Sequence, residues 1–252
     1  MKIKDFFNTV LFYITVPKCV GCNERLKIEE RVFCRSCLET HRLLKKRDCS
    51  ICAKTLDECD CSNKFLREHK VKRLIKLFRY IPDKEGTPSN NLIFNLKRNN
   101  RRDVVSLLAD ELSASIKHSL TDYTEFVITN VPRRRSAQKQ YGYDHAAVLA
   151  KAIAKRLGIK YELVLKSKAK HAQKKMNSDE RRKNAKVVPK RHFNLEGKRI
   201  ILLDDIVTTG SSLAASADVL KKLKAKEIVG AAISIAYKDE YTPFQKTDYV
   251  YW

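Results

Sequence analysis

The sequence predicts an α/β protein in which a mostly parallel sheet is flanked by helices and preceded by a small cysteine-rich module. Three observations carry this expectation. From residue 72 onward, short apolar strands alternate with amphipathic helices, the pattern of a doubly wound sheet. All eight cysteines lie between Cys19 and Cys61. One compact apolar run, Ile200 to Leu203, ends on two adjacent acids and a Thr-Thr-Gly turn. The expected division is residues 1–66 for an N-terminal helix and cysteine module, and residues 67–252 for the α/β domain.

Taken in order, Phe7, Val10, Leu11 and Ile14 fall at helical spacing, and they predict a short amphipathic helix docked on the protein rather than a cleaved leader. Lys72 to Ile81 reads as a strand. Ser89 is a possible cap for a short helix through Leu92, Ile93 and Leu96. Val104, Leu108, Leu112 and Ile116 recur every fourth residue, so Arg101 to His118 is a helix with one apolar face. Phe126 to Val131 is a strand that stops at Pro132. A helix from about Tyr143 to Leu157 closes on Gly158, and Tyr161 to Leu165 reads as another strand. Ile200 to Leu203 has the continuous apolar character of a strand buried on both faces. A helix from Ser211 or Ser212 to about Lys224 and a strand from Glu227 to Ala236 complete the domain.

No apolar run approaches the roughly 18 residues that cross a bilayer, so a cytoplasmic location without a transmembrane segment is expected. The formal net charge of +23 is unevenly placed. Residues 131–192 hold 19 Lys/Arg against 4 Asp/Glu, whereas residues 193–252 hold 8 of each. Such an excess favours a polyanion through counterion release, and it exceeds what a small phosphorylated ligand requires. A merely solvated basic surface is the alternative.

The cysteines read Cys19-x-x-Cys22, Cys34-x-x-Cys37, Cys49-x-x-Cys52 and Cys59-x-Cys61. Pairs separated by two residues let one tight turn aim both sulfurs at one ion, and two such turns complete a tetrahedral thiolate site for zinc. The first four have zinc-ribbon spacing. The second four are less regular, because Cys59-x-Cys61 is one residue short, and alternate pairs could also share each ion. The expected role is structural, one or two zinc ions holding a segment too small to fold on apolar burial alone.

The stretch Ile200 to Leu213 carries the chemistry. Asp204 and Asp205 stand at the carboxyl end of a buried strand, where doubly wound sheets bind ligands. Gly210 allows close backbone approach, while Thr208, Thr209, Ser211 and Ser212 stand at the start of a helix whose amides suit a phosphate. Two carboxylates beside a phosphate have a task if they accept hydrogen bonds from vicinal sugar hydroxyls.

This segment resembles the phosphoribosyl pyrophosphate (PRPP) signature of type I phosphoribosyltransferases. The wider pattern resembles the ComF (GntX) family, which joins an N-terminal double zinc ribbon to such a domain. The resemblance also rests on Phe78-x-Tyr80, Lys97, Val131-Pro132 with Arg133, Arg134 and Arg135, Tyr141-Gly142-Tyr143-Asp144-His145, and Gln173 with Glu180-Arg181-Arg182-x-Asn184. The family usually has Arg-Gly-Phe-Asn-Gln where this chain has residues 141–145, and Gly-Ala where it has Lys224-Ala225.

The resemblance implies PRPP or a ribose 5-phosphate-containing nucleotide as ligand, with magnesium bridging the pyrophosphate and ribose hydroxyls. It places Arg133, Arg134 and Arg135 in a pyrophosphate loop. It makes Lys166 to His192 a basic flap, in which Gln173, Arg181, Arg182, Lys183 and Asn184 cover the site or grip nucleic acid. It implies natural transformation, with single-stranded DNA and a DNA-import or competence helicase as partners. No general base is evident, and His145, His171 and His192 are expected at the surface. Three functions fit: a competence protein that binds PRPP and single-stranded DNA with or without turnover, a salvage phosphoribosyltransferase acting on a free base, and a non-catalytic nucleotide sensor that binds nucleic acid through its zinc ribbon.

Overall fold

The computed structural model describes residues 17–49, 51–80, 87–99, 101–133, 142–168 and 187–236. The helices are α1 (Arg35–Lys45), α2 (Lys64–Glu68), α3 (Pro88–Arg98), α4 (Arg102–Ser119), α5 (His145–Leu157) and α6 (Ser211–Lys222). The strands are β1 (Leu74–Arg79), β2 (Phe126–Asn130), β3 (Lys160–Tyr161), β4 (Leu165–Ser167), β5 (Val187–Pro189), β6 (Arg199–Val207) and β7 (Glu227–Ile235). Five of them form one sheet in the order β1-β7-β6-β2-β3, every neighbouring pair parallel. β4 and β5 form a separate antiparallel pair.

Both faces of the central strands are covered. Ile201 and Leu203 of β6 join Ile75, Leu77, Leu92, Leu108, Leu149 and Ile153 in one core. Ile200 and Leu202 face the opposite way, into a second core with Leu66, Leu74, Leu213, Ala217 and Leu220. The side-chain period of two thus divides one apolar run between two helical layers, which is why the strand shows no polar alternation in sequence.

The expected elements are present with shifted ends. β6 runs four residues past the apolar stretch and includes both acids. The expected strand Tyr161 to Leu165 is two pieces in different sheets, since Glu162 to Val164 intervene between β3 and β4. Ser89 does not cap α3. Thr87 does so, its hydroxyl accepting from the Asn90 amide at 3.3 Å, with Pro88 at the first helical position. Ser89 is buried instead, 2.9 Å from His41 Nδ1. The N-terminal helix expected over residues 1–16 lies outside the described residues.

The Lys224-Ala225 departure has a local consequence. The Lys224 amide bonds Lys221 O at 2.9 Å and the Ala225 amide bonds Leu220 O at 3.1 Å, the paired bonds that close a helix through a left-handed residue. Lys224 occupies that position at φ 68°, where α5 uses Gly158 at φ 67°. A side chain there is strained, so Lys224→Gly is expected to stabilise the protein by about 1 kcal/mol, read from the urea midpoint.

The cysteine segment contains a repeat with a period of 30 residues. Cys19 N bonds Glu24 O at 2.8 Å, and Cys49 N bonds Lys54 O at 2.8 Å. Asn23 N reaches Cys19 O and Ala53 N reaches Cys49 O, both at 2.9 Å, with Asn23 and Ala53 both at positive φ. Leu26 N bonds Pro17 O and Leu56 N bonds Arg47 O, again both at 2.9 Å. The two hairpins are copies of one knuckle. They diverge afterwards: Cys34 and Cys37 sit at the start of α1, while Cys59 and Cys61 precede α2 without a helix of their own.

The first hairpin is built into the larger core, where Cys19, Val20, Leu26, Val32, Phe33 and Cys37 pack with α3, α4 and β1. Fully buried His41 of α1 hydrogen-bonds Glu111 of α4 at 3.0 Å, and Lys45 joins the same carboxylate at 2.7 Å. Burial works against charge on Glu111, but the His41 bond and the two nearby cationic groups more than offset it and lower its pKa. The second hairpin has its own small core of Cys49, Leu56 and Cys59.

Candidate functional site

The topology selects one place for a ligand. From β2 the chain crosses to β3 on one side, and from β6 it crosses to β7 on the other. The carboxyl ends of β2 and β6, paired through Asn130 and Leu203, therefore flank the switch point of the sheet. Val131 extends the pairing by one bond to Leu203 O at 2.8 Å, and the following Pro132 has no amide with which to continue it. Arg133 is thereby delivered beside the acids of β6.

Asp205 is the centre of the arrangement. Its Oδ2 lies 2.9 Å from Arg133 Nη2, 2.8 Å from His145 Nε2 and 3.1 Å from Lys97 Nζ. Three elements thus converge on one oxygen of a residue that is 8% exposed. Burial opposes its charge, yet Lys97, the His145 hydrogen bond and Arg133 hold its carboxyl well below the usual range. Asp204 behaves oppositely: burial and then the neighbouring Asp205 carboxylate push it well above that range. The two neighbouring carboxyls are thus pushed in opposite directions, the firmer negative charge resting on Asp205.

Two members of this cluster had no role in the sequence reading. Lys97 lies in the last turn of α3, whose carbonyl at Leu96 accepts from Tyr143 Oη at 2.6 Å, fixing that turn against the 142–145 segment. His145 was expected at the surface and is fully buried. The physical reason is its place in α5. Asp144 caps the helix by accepting from the Ala147 amide at 3.2 Å, which makes His145 the first member of the buried stripe His145, Leu149, Ile153, Leu157. The period-four spacing was legible in the sequence. Burial lowers the His145 pKa despite the Asp205 contact, and Nε2 is the donor in that contact because a carboxylate oxygen only accepts. At this position, where the ComF pattern has Gln, the imidazole likewise supplies an N–H donor.

After β6 the turn Thr208-Thr209-Gly210 leads into α6. Thr209 Oγ1 and Ser211 Oγ are 2.7 Å apart, and Ala214 N already bonds Gly210 O at 2.8 Å. Thr208 is exposed, Thr209 and Ser212 are half-buried, and Ser211 is buried. Gly210 has φ 79°, and a Cβ there would lie 3.0 Å from Leu66 Cδ2. Gly210→Ala meets both backbone strain and the fully buried Leu66, and is expected to cost about 1–3 kcal/mol by urea denaturation. Arg134, Arg135, Gln173, Arg181, Arg182, Lys183, Asn184 and His171 lie outside the described residues, while His192 is exposed.

The eight cysteines form two sets, Cys19, Cys22, Cys34, Cys37 and Cys49, Cys52, Cys59, Cys61, each with all sulfurs within 4.8 Å of one another. The sets are consecutive in sequence, not interleaved. A zinc–sulfur bond of about 2.3 Å sets tetrahedral sulfurs about 3.8 Å apart, and Cys22 Sγ to Cys34 Sγ is 3.8 Å. Amides point at the sulfurs in both sets: Gly21 N and Cys34 N to Cys19 Sγ at 3.3 and 3.2 Å, Ile51 N to Cys49 Sγ at 3.4 Å, and Cys61 N to Cys59 Sγ at 3.3 Å. Both sets fit a four-thiolate zinc site, which leaves no open coordination position.

The phosphoribosyl transferase domain family matches residues 144–252. Competence protein F of Haemophilus influenzae is 25% identical over 223 residues, spanning 84% of this chain and 93% of that protein. DNA utilization protein YhgH of Escherichia coli K12 is 25% identical over 219 residues, spanning 82% and 92% respectively. The chain resembles the ComF family over most of its length. A shorter stretch, 43 residues, is 49% identical to adenine phosphoribosyltransferase of Gluconobacter oxydans, covering 17% of the chain and 24% of that enzyme. The parallel sheet with helices on both faces is the type I phosphoribosyltransferase fold, and the ComF pairing of this fold with cysteine clusters suited to zinc is present here.

Proposed function

We propose that this chain binds PRPP, or a nucleotide containing ribose 5-phosphate, at the carboxyl ends of β2 and β6, and that it handles single-stranded DNA in natural transformation in the cytoplasm. The observation that carries the first part is the convergence of Arg133, His145 and Lys97 on Asp205 beside a phosphate-suited turn at the switch point. The second part is supported by the names of the two long relatives and by the +15 excess of residues 131–192.

In this reading Asp204 and Asp205 accept from the ribose hydroxyls. The 5-phosphate lies on the turn, with hydroxyls of Thr208, Thr209, Ser211 and Ser212 and the amides at the start of α6 as donors. Lys97 and Arg133 both pair with Asp205 Oδ2. When sugar hydroxyls take over that oxygen, Lys97 turns to the pyrophosphate together with one or two of the loop residues Arg133, Arg134 and Arg135. His145 stays on Asp205 and holds it for the sugar. Its Nε2 is committed to Asp205 and its Nδ1 is fully buried, so neither nitrogen is open to activate an acceptor. Magnesium, if bound with PRPP, would add positive charge that stabilises the leaving pyrophosphate. The chemistry open to the site is cation-assisted displacement of pyrophosphate, in which an acceptor's nucleophilic atom bonds to the ribose carbon as the C–O bond pair leaves with the pyrophosphate.

Titrating PRPP and magnesium calorimetrically, with and without single-stranded DNA, tests the joint reading: DNA is expected to change the PRPP affinity, because linked sites shift each other reciprocally. Identical affinities in both titrations would separate the ligands and favour simple nucleotide binding. Neutralising Arg181, Arg182 and Lys183 is expected to weaken DNA binding and flatten its dependence on log salt, by about 0.7 per lost phosphate contact. An unaltered slope would place DNA elsewhere.

A further inference from the structure

We infer that Lys76 is the built-in counter-ion of an anionic metal–thiolate centre formed by Cys49, Cys52, Cys59 and Cys61. Lys76 lies in the middle of β1, paired with Ala232 of β7 and 1% exposed. A fully buried lysine in the middle of this edge strand is out of keeping with its neighbours Ile75 and Leu77, both fully buried. Its Nζ does not reach solvent. It lies 3.0 Å from Cys59 Sγ and 3.0, 3.2 and 3.3 Å from the carbonyl oxygens of Cys61, Cys59 and Leu74. Those contacts include no carboxylate, and carbonyl dipoles alone do not balance a buried ammonium. A divalent ion held by four thiolates would carry two net negative charges, and one of those four sulfurs, Cys59 Sγ, lies directly against this nitrogen.

The two cysteine sets show why only one needs such a residue. Their first knuckles are copies with the same amide-to-sulfur bonds. In the first set, Cys34 and Cys37 stand at the start of α1, where the positive end of an eleven-residue helix favours thiolate charge. In the second set, Cys59 and Cys61 have no helix beginning at them, and their spacing is one residue tighter. Lys76 supplies from the sheet the positive charge that α1 supplies to the first set. Lys76 thereby acts on the metal through its ligands, as groups hydrogen-bonded to metal ligands commonly do. The inference does not depend on what binds at Asp205.

The test is stepwise zinc release from the fully loaded protein by a chromogenic chelator, in the wild type and in Lys76→Met, with Lys76→Gln as a variant that keeps N–H donors without the charge. Both variants are expected to release one zinc equivalent at chelator concentrations at least tenfold lower than the wild type, and the other equivalent unchanged. Thermal unfolding adds a readout that packing alone would not give. Lys76→Met is expected to lower the Tm of the loaded protein, and to leave the Tm of the stripped protein unchanged or raised. Release curves in which both variants match the wild type would overturn the inference. So would an equal loss of Tm with and without zinc, which would make Lys76 a packing residue, and so would failure of both variants to fold in zinc-free and zinc-replete medium alike.

Discussion

Asp205→Asn is expected to weaken PRPP binding about 100-fold or more, a loss of about 3 kcal/mol, while far-ultraviolet circular dichroism stays that of the wild type. The substitution keeps the volume of a side chain buried at the end of β6 and removes the one charge on which Arg133, Lys97 and His145 converge. It also leaves one neutral amide oxygen in place of the two carboxylate oxygens proposed to accept from the ribose hydroxyl. Some stability is lost as well, because two cations are left facing each other, but both side chains are partly exposed, at 20% and 29%, and water screens them. Combined Asp204→Ala and Asp205→Ala substitution is expected to abolish binding with the sheet intact. Unchanged affinity in the purified variant, measured by calorimetry, would remove the ribose role from these acids.

Removing the metal is expected to have the largest effect on stability. Zinc in small modules contributes roughly 10–16 kcal/mol of apparent folding free energy. Here the loss would not stay local. Cys19 and Cys37 of the first set belong to the same core as α3 and α4, and Gly21 O accepts from Asn91 Nδ2 of α3 at 2.7 Å. Lys97 is carried by that same helix. Beyond the second set, Asn63 caps α2, which places Leu66 under Gly210, and His69 Nδ1 is 2.8 Å from Asp218 Oδ2 of α6. Both sides of the proposed PRPP site are thus braced by cysteine hairpins. Chelation is expected to lower the Tm by more than 10 °C and to weaken PRPP binding, with both recovered when zinc is restored. A stripped protein with unaltered Tm and affinity would show the hairpins to be self-supporting.

The fold was legible in the sequence where a single physical signal dominated. The four-residue apolar run of β6, the period-four stripe of α4 and the Gly-terminated α5 are each set by burial or backbone geometry within a few residues. The acids and the Thr-Thr-Gly turn were legible for the same reason, since strand, carboxylates and turn are contiguous. The partners of Asp205 were harder to see because Lys97, Arg133 and His145 come from three distant elements. Their convergence is set by the parallel order of the strands, which sequence spacing does not encode. His145 is the instructive case: read alone it is an ordinary surface histidine, but read with Leu149, Ile153 and Leu157 it heads a buried stripe. Lys76 is similar, a charged residue inside an apolar strand whose meaning depends on the cysteines 15 and 17 residues earlier.

The most direct test of the central claim is a crystal structure of the zinc-loaded protein with PRPP and magnesium. The account predicts ribose hydroxyls within hydrogen-bond distance of the Asp204 and Asp205 carboxylates, the 5-phosphate on the Thr208 to Ser212 turn, and Lys97 turned from Asp205 to the pyrophosphate with one or two of Arg133, Arg134 and Arg135. PRPP bound at any other surface, or Asp205 still held by Lys97 and Arg133 with the ligand in place, would contradict it.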